Sequence, residues 1–219
     1  WEETYRETDP DKKVFDVQID HFNTENIYAS TELGAIIKSE DKGKNWSVTT
    51  FLPDRAIFLR MSPYDSRHLF ASGPEIGLHR TIDGGEYWEK IEFPERFSSA
   101  NTVYDFRYHP TQENVVYVGS EYGFLRSDDL GETWVDIPLL IRPEPNSLIR
   151  FVIDPQNPQN IYLTLNTSMY RSRDAGKSWE VDEKITPAII YSLEIHPDTP
   201  DTIYVGVWDR DNVVEEPEN

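Results

Sequence analysis

One eight-residue motif occurs four times in this chain and constrains its fold more than any other feature of the sequence. Each copy reads Ser or Thr, any residue, Asp, any residue, Gly, two further residues and Trp. The copies are SEDKGKNW, TIDGGEYW, SDDLGETW and SRDAGKSW, which begin at Ser39, Thr81, Ser127 and Ser172. Their spacing of 42, 46 and 45 residues is the length of one four-stranded propeller blade. The repeat therefore predicts an array of similar β units.

The residue types of the motif predict a tight turn between two strands. An Asp carboxylate can accept hydrogen bonds from backbone N–H groups two residues further on, Gly supplies a positive φ, and Trp brings a large apolar ring between neighbouring sheets. The residues assigned to this turn are Asp41, Gly43, Trp46, Asp83, Gly85, Trp88, Asp129, Gly131, Trp134, Asp174, Gly176 and Trp179. We interpret the motif as structural rather than as a ligand site.

The segments between the motifs have the periodicity of strands. Five of them alternate apolar and polar residues (DVQIDHF, FLRMSPY, DFRYHPT, RFVIDPQ and SLEIHPD), and each precedes a short apolar run such as VVYVG. This alternation is typical of half-buried strands, and no segment has a convincing helical period. The sequence predicts one all-β domain over residues 1–219, with units at about 8–50, 51–93, 94–139, 140–184 and 185–219.

The two chain ends predict that these units close into a ring. The fifth unit has no turn motif, and the N-terminal string WEETYRE is similar to WVDIPLL, which follows the third motif. We expect residues 1–7 to complete the fifth unit by strand sharing, giving a five-bladed β-propeller of four-stranded antiparallel blades. Closure would remove exposed sheet edges. An arc cut from a larger ring is the alternative.

Composition excludes several classes of partner and site. The formal net charge of −19 disfavours nucleic acid and anionic membrane surfaces. The absence of cysteine excludes disulfides, thiolate nucleophiles and cysteine metal sites, and no apolar run is long enough to span a bilayer. The histidines have no metal-ligand spacing, and DRDNVVEE from Asp209 lacks the turn glycine of a calcium loop. We therefore expect no metal and no cofactor.

The motif resembles the Asp-box, or BNR repeat, of a β-propeller superfamily, and the resemblance covers essentially the whole chain. Members of that superfamily include sialidases, xyloglucan-hydrolysing glycosidases, sortilin-type sorting receptors and photosystem II assembly factors. The strings GFLRSDDLGETW and MYRSRDAGKSW are more similar to the non-sialidase members. The resemblance implies a propeller fold but not one activity, because members with unrelated functions share the motif. It favours a non-catalytic module that is secreted, periplasmic or on the cell surface.

Charged residues on the predicted inner strands leave an enzyme hypothesis open. The six residues are Asp16, Arg60, Asp105, Arg107, Arg150 and Glu194. Three arginines could bind a substrate carboxylate as in a sialidase, and two carboxylates could serve glycoside hydrolysis. However, no Arg-Ile-Pro signature occurs, and Arg150 is two positions out of register with the other arginines. We favour arginines paired with these carboxylates inside the ring, and we assign no catalytic residue.

The loops on one side of the predicted propeller favour a binding role. We define the loop face as the side where second strands connect to third strands and fourth strands to the next unit. Its residues include Glu32, Glu75, Ile76, Tyr122, Trp208, Asp209 and Arg210. Tyr122, Trp208 and Arg210 are of the types that anchor interfaces, although Trp208 could equally pack between blades. We expect a protein partner with a basic or mixed surface. A carbohydrate ligand and a structural role in a larger surface assembly are the alternatives, and the oligomeric state stays open.

Overall fold

The structure, a computed structural model, describes Tyr5 and residues 13–143, 147–182 and 185–208. Within these residues the chain forms eighteen β-strands and one short 3₁₀-helical segment, Glu95–Asn101. The prediction of an all-β chain is confirmed. The predicted pairing of residues 1–7 with the fifth unit lies outside the described residues, apart from Tyr5.

Four of the five sheets are four-stranded and antiparallel, and in each of them every strand pairs with the next strand along the chain. The strands are β1 (Val14–Ile19), β2 (Ile27–Thr31), β3 (Ala35–Ser39), β4 (Ser47–Phe51), β5 (Phe58–Met61), β6 (Leu69–Gly73), β7 (Gly77–Thr81), β8 (Glu89–Ile91), β9 (Val103–Tyr108), β10 (Val116–Ser120), β11 (Phe124–Ser127), β12 (Val135–Ile137), β13 (Ile149–Ile153), β14 (Ile161–Leu165), β15 (Ser168–Ser172), β16 (Glu180–Asp182), β17 (Ile189–Ile195) and β18 (Ile203–Trp208). The fifth sheet consists of β17 and β18.

The first strands of successive sheets lie side by side. β1 packs beside β5, β5 beside β9, β9 beside β13 and β13 beside β17. We call the space that these five strands line the channel. Each sheet begins at the channel and its strands alternate in direction. The connections between second and third strands therefore lie at one end of the strands, on the loop face. The turn motifs lie on the opposite side, which we call the motif face.

The core lies between the sheets rather than inside any one of them. Aromatic rings fill these gaps: Phe70 of the second sheet stacks on Phe106 of the third at 4.4 Å between centroids. Phe124 of the third sheet meets Phe151 of the fourth edge-to-face at 4.8 Å. Apolar faces of adjacent sheets therefore bury each other, which is how a repeat array builds a continuous core.

The first sheet has one face that no other described sheet covers. Val17 and Ile19 of β1 are 49% and 50% exposed, whereas Leu59, at the position of β5 that corresponds to Val17, is fully buried. An apolar groove of about 300 Å³ runs over this face. Tyr5 lies in it, edge-to-face on Trp46 at 5.8 Å.

Candidate functional site

The four turn motifs share one hydrogen-bond pattern. In the third copy the Ser127 hydroxyl donates to the Asp129 carboxylate at 2.7 Å and accepts from the Gly131 N–H at 2.8 Å. The Asp129 carboxylate accepts from the N–H of Thr133 at 2.8 Å. Equivalent bonds begin at Ser39, Thr81 and Ser172. Each motif is therefore a closed, self-contained turn.

Two details of the turn differ from the sequence prediction. The carboxylate accepts from the N–H four residues further on, not two, because the hydroxyl of the first motif residue occupies the nearer donors. The sequence prediction does not include that hydroxyl, although all four copies of the motif begin with Ser or Thr. The residue before each motif glycine also has a positive φ, including the non-glycine residues Lys42, Leu130 and Ala175.

The motif tryptophans lie on the face that each sheet turns toward the preceding one. Trp134 is buried and its ring lies 5.1 Å from that of Phe93. Trp179 donates its indole N–H to the carbonyl of Pro138 at 2.9 Å. Trp88 packs against the cluster between the first and second sheets, and Trp46 is half-buried under Tyr5. All four serve packing in this structure.

Two of the three channel arginines lie against carboxylates. Arg60 pairs with Asp16, whose carboxylate also accepts from the N–H of Leu59 at 3.0 Å. Arg107 of the third sheet binds Glu194 of the fifth sheet through two nitrogens, at 2.7 and 3.2 Å. These contacts tie neighbouring and more distant sheets together across the channel.

The Asp105 carboxylate accepts hydrogen bonds from backbone N–H groups and is not free to bind a cation. Asp105 is fully buried, and its carboxylate accepts from the N–H groups of Phe106 at 2.9 Å and Phe151 at 3.1 Å. The Arg107 Nε lies 3.7 Å away. Asp16 makes the same kind of bond to the next sheet, so the two aspartates connect first strands in pairs.

Arg150 differs from the expected pairing, since none of its bonds goes to a described carboxylate. Its Nε donates to the carbonyl of Tyr191 at 2.8 Å, its Nη1 donates to the carbonyl of Tyr104, and the guanidinium lies 5.2 Å from the ring centre of Phe58. The register offset of two positions brings it toward these carbonyls. Burial, with Arg107 close by, lowers the pKa of the Arg150 guanidinium, and Asp105 partly offsets this. Arg150 thereby joins the second, third, fourth and fifth sheets.

The structure describes the three predicted interface anchors to different extents. Tyr122 packs edge-to-face on Phe97 at 4.8 Å and stays partly exposed, so it is compatible with an anchor supported by the scaffold. Trp208 ends β18, where its backbone pairs with Ile189, and its side chain is outside the described set. Arg210 lies outside the described residues altogether. Their grouping into one site stays a prediction, since only Tyr122 has a described side chain.

A cavity of about 490 Å³ opens on the loop face at the mouth of the channel. We call it the basin. It is lined by Pro74, Glu75, Thr102, Tyr104, Glu121, Leu148, Asn166, Ile189 and Tyr191. Sequence reasoning placed Glu75 on this face but missed Glu121 and both tyrosines, because the tyrosines lie in strands that read as core.

The charged and aromatic groups of the basin have distinct environments. Glu75 is exposed and Glu121 half-exposed, whereas Tyr104 is only 7% exposed. Burial, helped by the nearby Glu121 carboxylate, raises the pKa of the Tyr104 hydroxyl. The basin therefore presents two carboxylates and a protonated phenol.

Neither a metal site nor a membrane-spanning helix is found in the described part of the chain. No three His, Asp or Glu side chains are grouped there so that they could hold a metal ion. No helix among those residues has the length and apolarity needed to cross a membrane.

Known proteins resemble this chain in part of its sequence and in most of its structure. No protein-family model matches it. Over 70 residues, 32% of this chain, it is 33% identical to vacuolar protein sorting/targeting protein 10 of Mycosarcoma maydis. A second such protein, from Laccaria bicolor, is 32% identical over 69 residues. The matched segment spans 5% of the length of each of these relatives.

Three solved structures share the fold at low sequence identity. The extracellular domain of a B. thetaiotaomicron protein described as a one-component system superposes with a TM-score of 0.69 at 15% identity, over 94% of this chain and 26% of that one. An ancestral GH74 enzyme gives 0.67 at 18%, over 84% and 26%. YCF48 from Cyanidioschyzon merolae gives 0.65 at 14%, over 89% and 64%. The fold is a β-propeller. Likenesses at this identity establish fold alone.

Proposed function

We propose that this chain is a non-catalytic β-propeller module that binds a protein partner through its loop face and channel mouth. The observation that carries the proposal is that the carboxylates of the channel are already engaged by other groups of the protein. Each of its three carboxylates is already held: Asp16 by Arg60, Glu194 by Arg107, and Asp105 by two backbone N–H groups. Glycoside hydrolysis needs two carboxylates free to exchange protons or attack the substrate. The channel carboxylates therefore favour a scaffold, and an enzyme would have to use Glu75 and Glu121 of the basin instead.

The relatives support a protein partner and a place outside the cytoplasm. The partial sequence match is to proteins named for vacuolar protein sorting and targeting, and one structural neighbour is an extracellular domain. We accordingly place the chain in an extracytoplasmic or lumenal compartment. Its loop face would act as the binding surface, because loops on a rigid scaffold commonly carry function.

The proposal includes membership of the Asp-box superfamily and closure of the ring at five blades. The exposed face of β1 is apolar where a further sheet would bury it, because Val17 lies at the position where Leu59 packs against the preceding sheet. The Arg107–Glu194 pair between the third and fifth sheets also indicates a narrow channel. A cysteine pair, Val17→Cys with Tyr204→Cys, tests closure in this cysteine-free chain. Cross-linking within one monomer supports a closed ring, and cross-linking only between copies refutes it.

The test of function is partner capture with variants on the two faces. The chain is immobilised, exposed to an extract of its own source, and the retained proteins are quantified by mass spectrometry. Alanine at Tyr122, Trp208 and Arg210 together should reduce capture at least about tenfold, since aromatic and arginine anchors carry most interface energy. A control variant carries alanine at three exposed motif-face residues, Lys44, Tyr87 and Lys177. Equal capture by the loop-face variant and the unmodified chain would refute the proposal.

A carbohydrate-active enzyme or lectin-like module is the second candidate. Tyrosine rings beside carboxylates in the basin are groups that can also contact sugars, and one structural neighbour is a GH74 enzyme. Incubation with xyloglucan and with a sialoside, followed by assay for released reducing ends and sialic acid, decides between the candidates. Turnover that is lost on Glu121→Gln would replace the proposed function. A role as a structural subunit of a larger surface assembly would instead show as a high mass in light scattering.

A further inference from the structure

The charges of the channel balance, whereas those of the basin do not. The channel holds three carboxylates and three arginines in mutual contact or close range: Asp16, Asp105, Glu194, Arg60, Arg107 and Arg150. The basin lies directly above this cluster, and the described residues that line it include two carboxylates and no cationic side chain. Within the described residues, neither Glu75 nor Glu121 belongs to an ion pair. A concave surface of one sign concentrates the field on whatever enters it.

Tyr104 gives a second and independent indication of a ligand. Its side chain is more than nine-tenths buried, yet it lines the basin, and its hydroxyl has no hydrogen-bond partner among the described residues. The hydroxyl itself is not enclosed by protein, so it is open to the cavity and available to hydrogen-bond a group that enters, next to the Glu121 carboxylate.

The position of the Tyr104 backbone is fixed by Arg150 on the channel side of the basin. The Arg150 guanidinium binds the carbonyls of both Tyr104 and Tyr191, one from the third sheet and one from the fifth. Both tyrosines lie in strands rather than in loops, and one guanidinium binds the backbone of each. Such a site is held ready before the ligand arrives, which reduces the ordering cost of binding.

Two carboxylates, a phenol oxygen and aromatic rings together form the chemistry of a cation site. Carboxylates bind ammonium and guanidinium groups through charge-assisted hydrogen bonds, a phenol oxygen accepts a further N–H, and aromatic faces attract cations. We propose that the basin binds the side-chain cation of a lysine or arginine presented by the protein partner. This inference rests on the proposed function and specifies its central contact.

Small cations that mimic the two side chains test the proposal without a known partner. The ¹⁵N-labelled chain is titrated with n-butylammonium chloride and with N-methylguanidinium chloride, and amide shifts are followed by NMR. We expect saturable shifts centred on Glu75, Glu121 and Asn166 with at least one of the probes, weakened by added salt. The relative affinity of the two probes indicates which residue the partner presents. Shifts that do not saturate, or that are spread over the surface, would overturn the proposal.

Variants with matched charge separate the basin from the general acidity of the chain. Glu75→Gln with Glu121→Gln should weaken the probe at least about tenfold, because both charge-assisted bonds are lost. The control is Glu86→Gln with Glu113→Gln, two exposed motif-face residues, which changes the net charge equally and should leave binding unchanged. Tyr104→Phe removes only the unpaired hydroxyl and should weaken binding about two- to fivefold. Equal weakening by the control pair would assign the effect to overall charge and refute the site.

The outcome is distinguishable from failure of the proposed function. If the Glu75, Glu121 variant captures the partner normally while the Tyr122, Trp208, Arg210 variant does not, the basin inference is wrong and the binding module stands. If no variant affects capture but the probes bind the basin, the protein-binding proposal is wrong and the cation site stands as an isolated property. Unfolding midpoints of all variants, compared with the unmodified chain, confirm that each remains folded.

Discussion

The first and third sheets carry the same turn motif, yet they differ in what lies against the face that bears its tryptophan. In both turns the serine hydroxyl accepts from the glycine N–H at 2.8 Å and the aspartate accepts at 2.8 Å from the N–H four residues on. Trp134, however, is enclosed between two sheets, whereas Trp46 is covered among the described residues by Tyr5. The turn is therefore determined by its own eight residues, and burial is determined by the neighbouring sheet.

The largest effect is expected when substitutions are compared at two corresponding positions of the first strands. Phe106→Ala opens a cavity between the second and third sheets and should lower the free energy of unfolding by about 3–5 kcal/mol. Val17→Ala removes a half-exposed side chain and should cost less than about 1 kcal/mol. Urea denaturation of both variants measures the two values. Similar losses would mean that the first sheet is covered in solution as fully as the third.

A smaller effect is expected at His79, a polar residue inside the contact between the first and second sheets. It is buried with its Nδ1 unpartnered among the described residues, at the position that Leu125 occupies in the next sheet. Burial, and to a lesser degree Lys90, lowers the pKa of its imidazole below the ordinary 6.5. His79→Leu should raise stability at neutral pH by about 1 kcal/mol, since an unsatisfied buried group is removed.

The pH dependence of that effect has a definite sign. Below pH 6.5 the unfolded chain binds a proton at His79 that the folded chain does not yet bind, so acidification favours unfolding. The stability is complete above pH 6.5 and falls as the pH drops from there toward the lower pKa of the folded state. The unfolding midpoint at pH 7.5 and 5.5 should therefore fall further in the unmodified chain than in His79→Leu. Parallel falls would show that this histidine is not the titrating group.

The smallest effect is expected in the turns themselves, where the two environments should not matter. Hydrogen bonds from Asn45 lower the pKa of Asp41 to about 2, and bonds from Ser178 lower that of Asp174 to about 2. Because the unfolded pKa is 3.8, this contribution is present above pH 3.8 and is lost as the pH falls toward 2. Asp41→Asn and Asp174→Asn should each flatten the acid limb of the stability curve.

The two substitutions should flatten that limb equally, although Trp46 is half-buried and Trp179 is buried. Stability is measured from pH 5 to pH 2 by urea denaturation at low protein concentration. A clearly larger change at Asp174 would show that the buried tryptophan and the turn are coupled, and that the turn is not a local structure.

Features set by nearby residues were predictable from the sequence, and features set by distant contacts were not. Strand periodicity and the spacing of the turn motif predicted all-β sheets of the observed kind, because both depend on a few consecutive residues. The role of Ser127 and its equivalents was within reach, since the residue recurs in every copy. The bonds of Arg150 to carbonyls of two other sheets join strands more than 40 residues apart in the chain. No local pattern encodes them.

Arg150 has a consequence for the order in which the molecule assembles. Each sheet is a local hairpin structure whose strands are close in sequence, so it can form early and with little loss of chain entropy. The bonds of Arg150 span 41 and 46 residues and require the third, fourth and fifth sheets to be in place at once. We therefore expect the channel to form last, after the sheets have stacked. Replacing Arg150 would chiefly speed unfolding rather than slow folding, because contacts made after the transition state act on the unfolding rate.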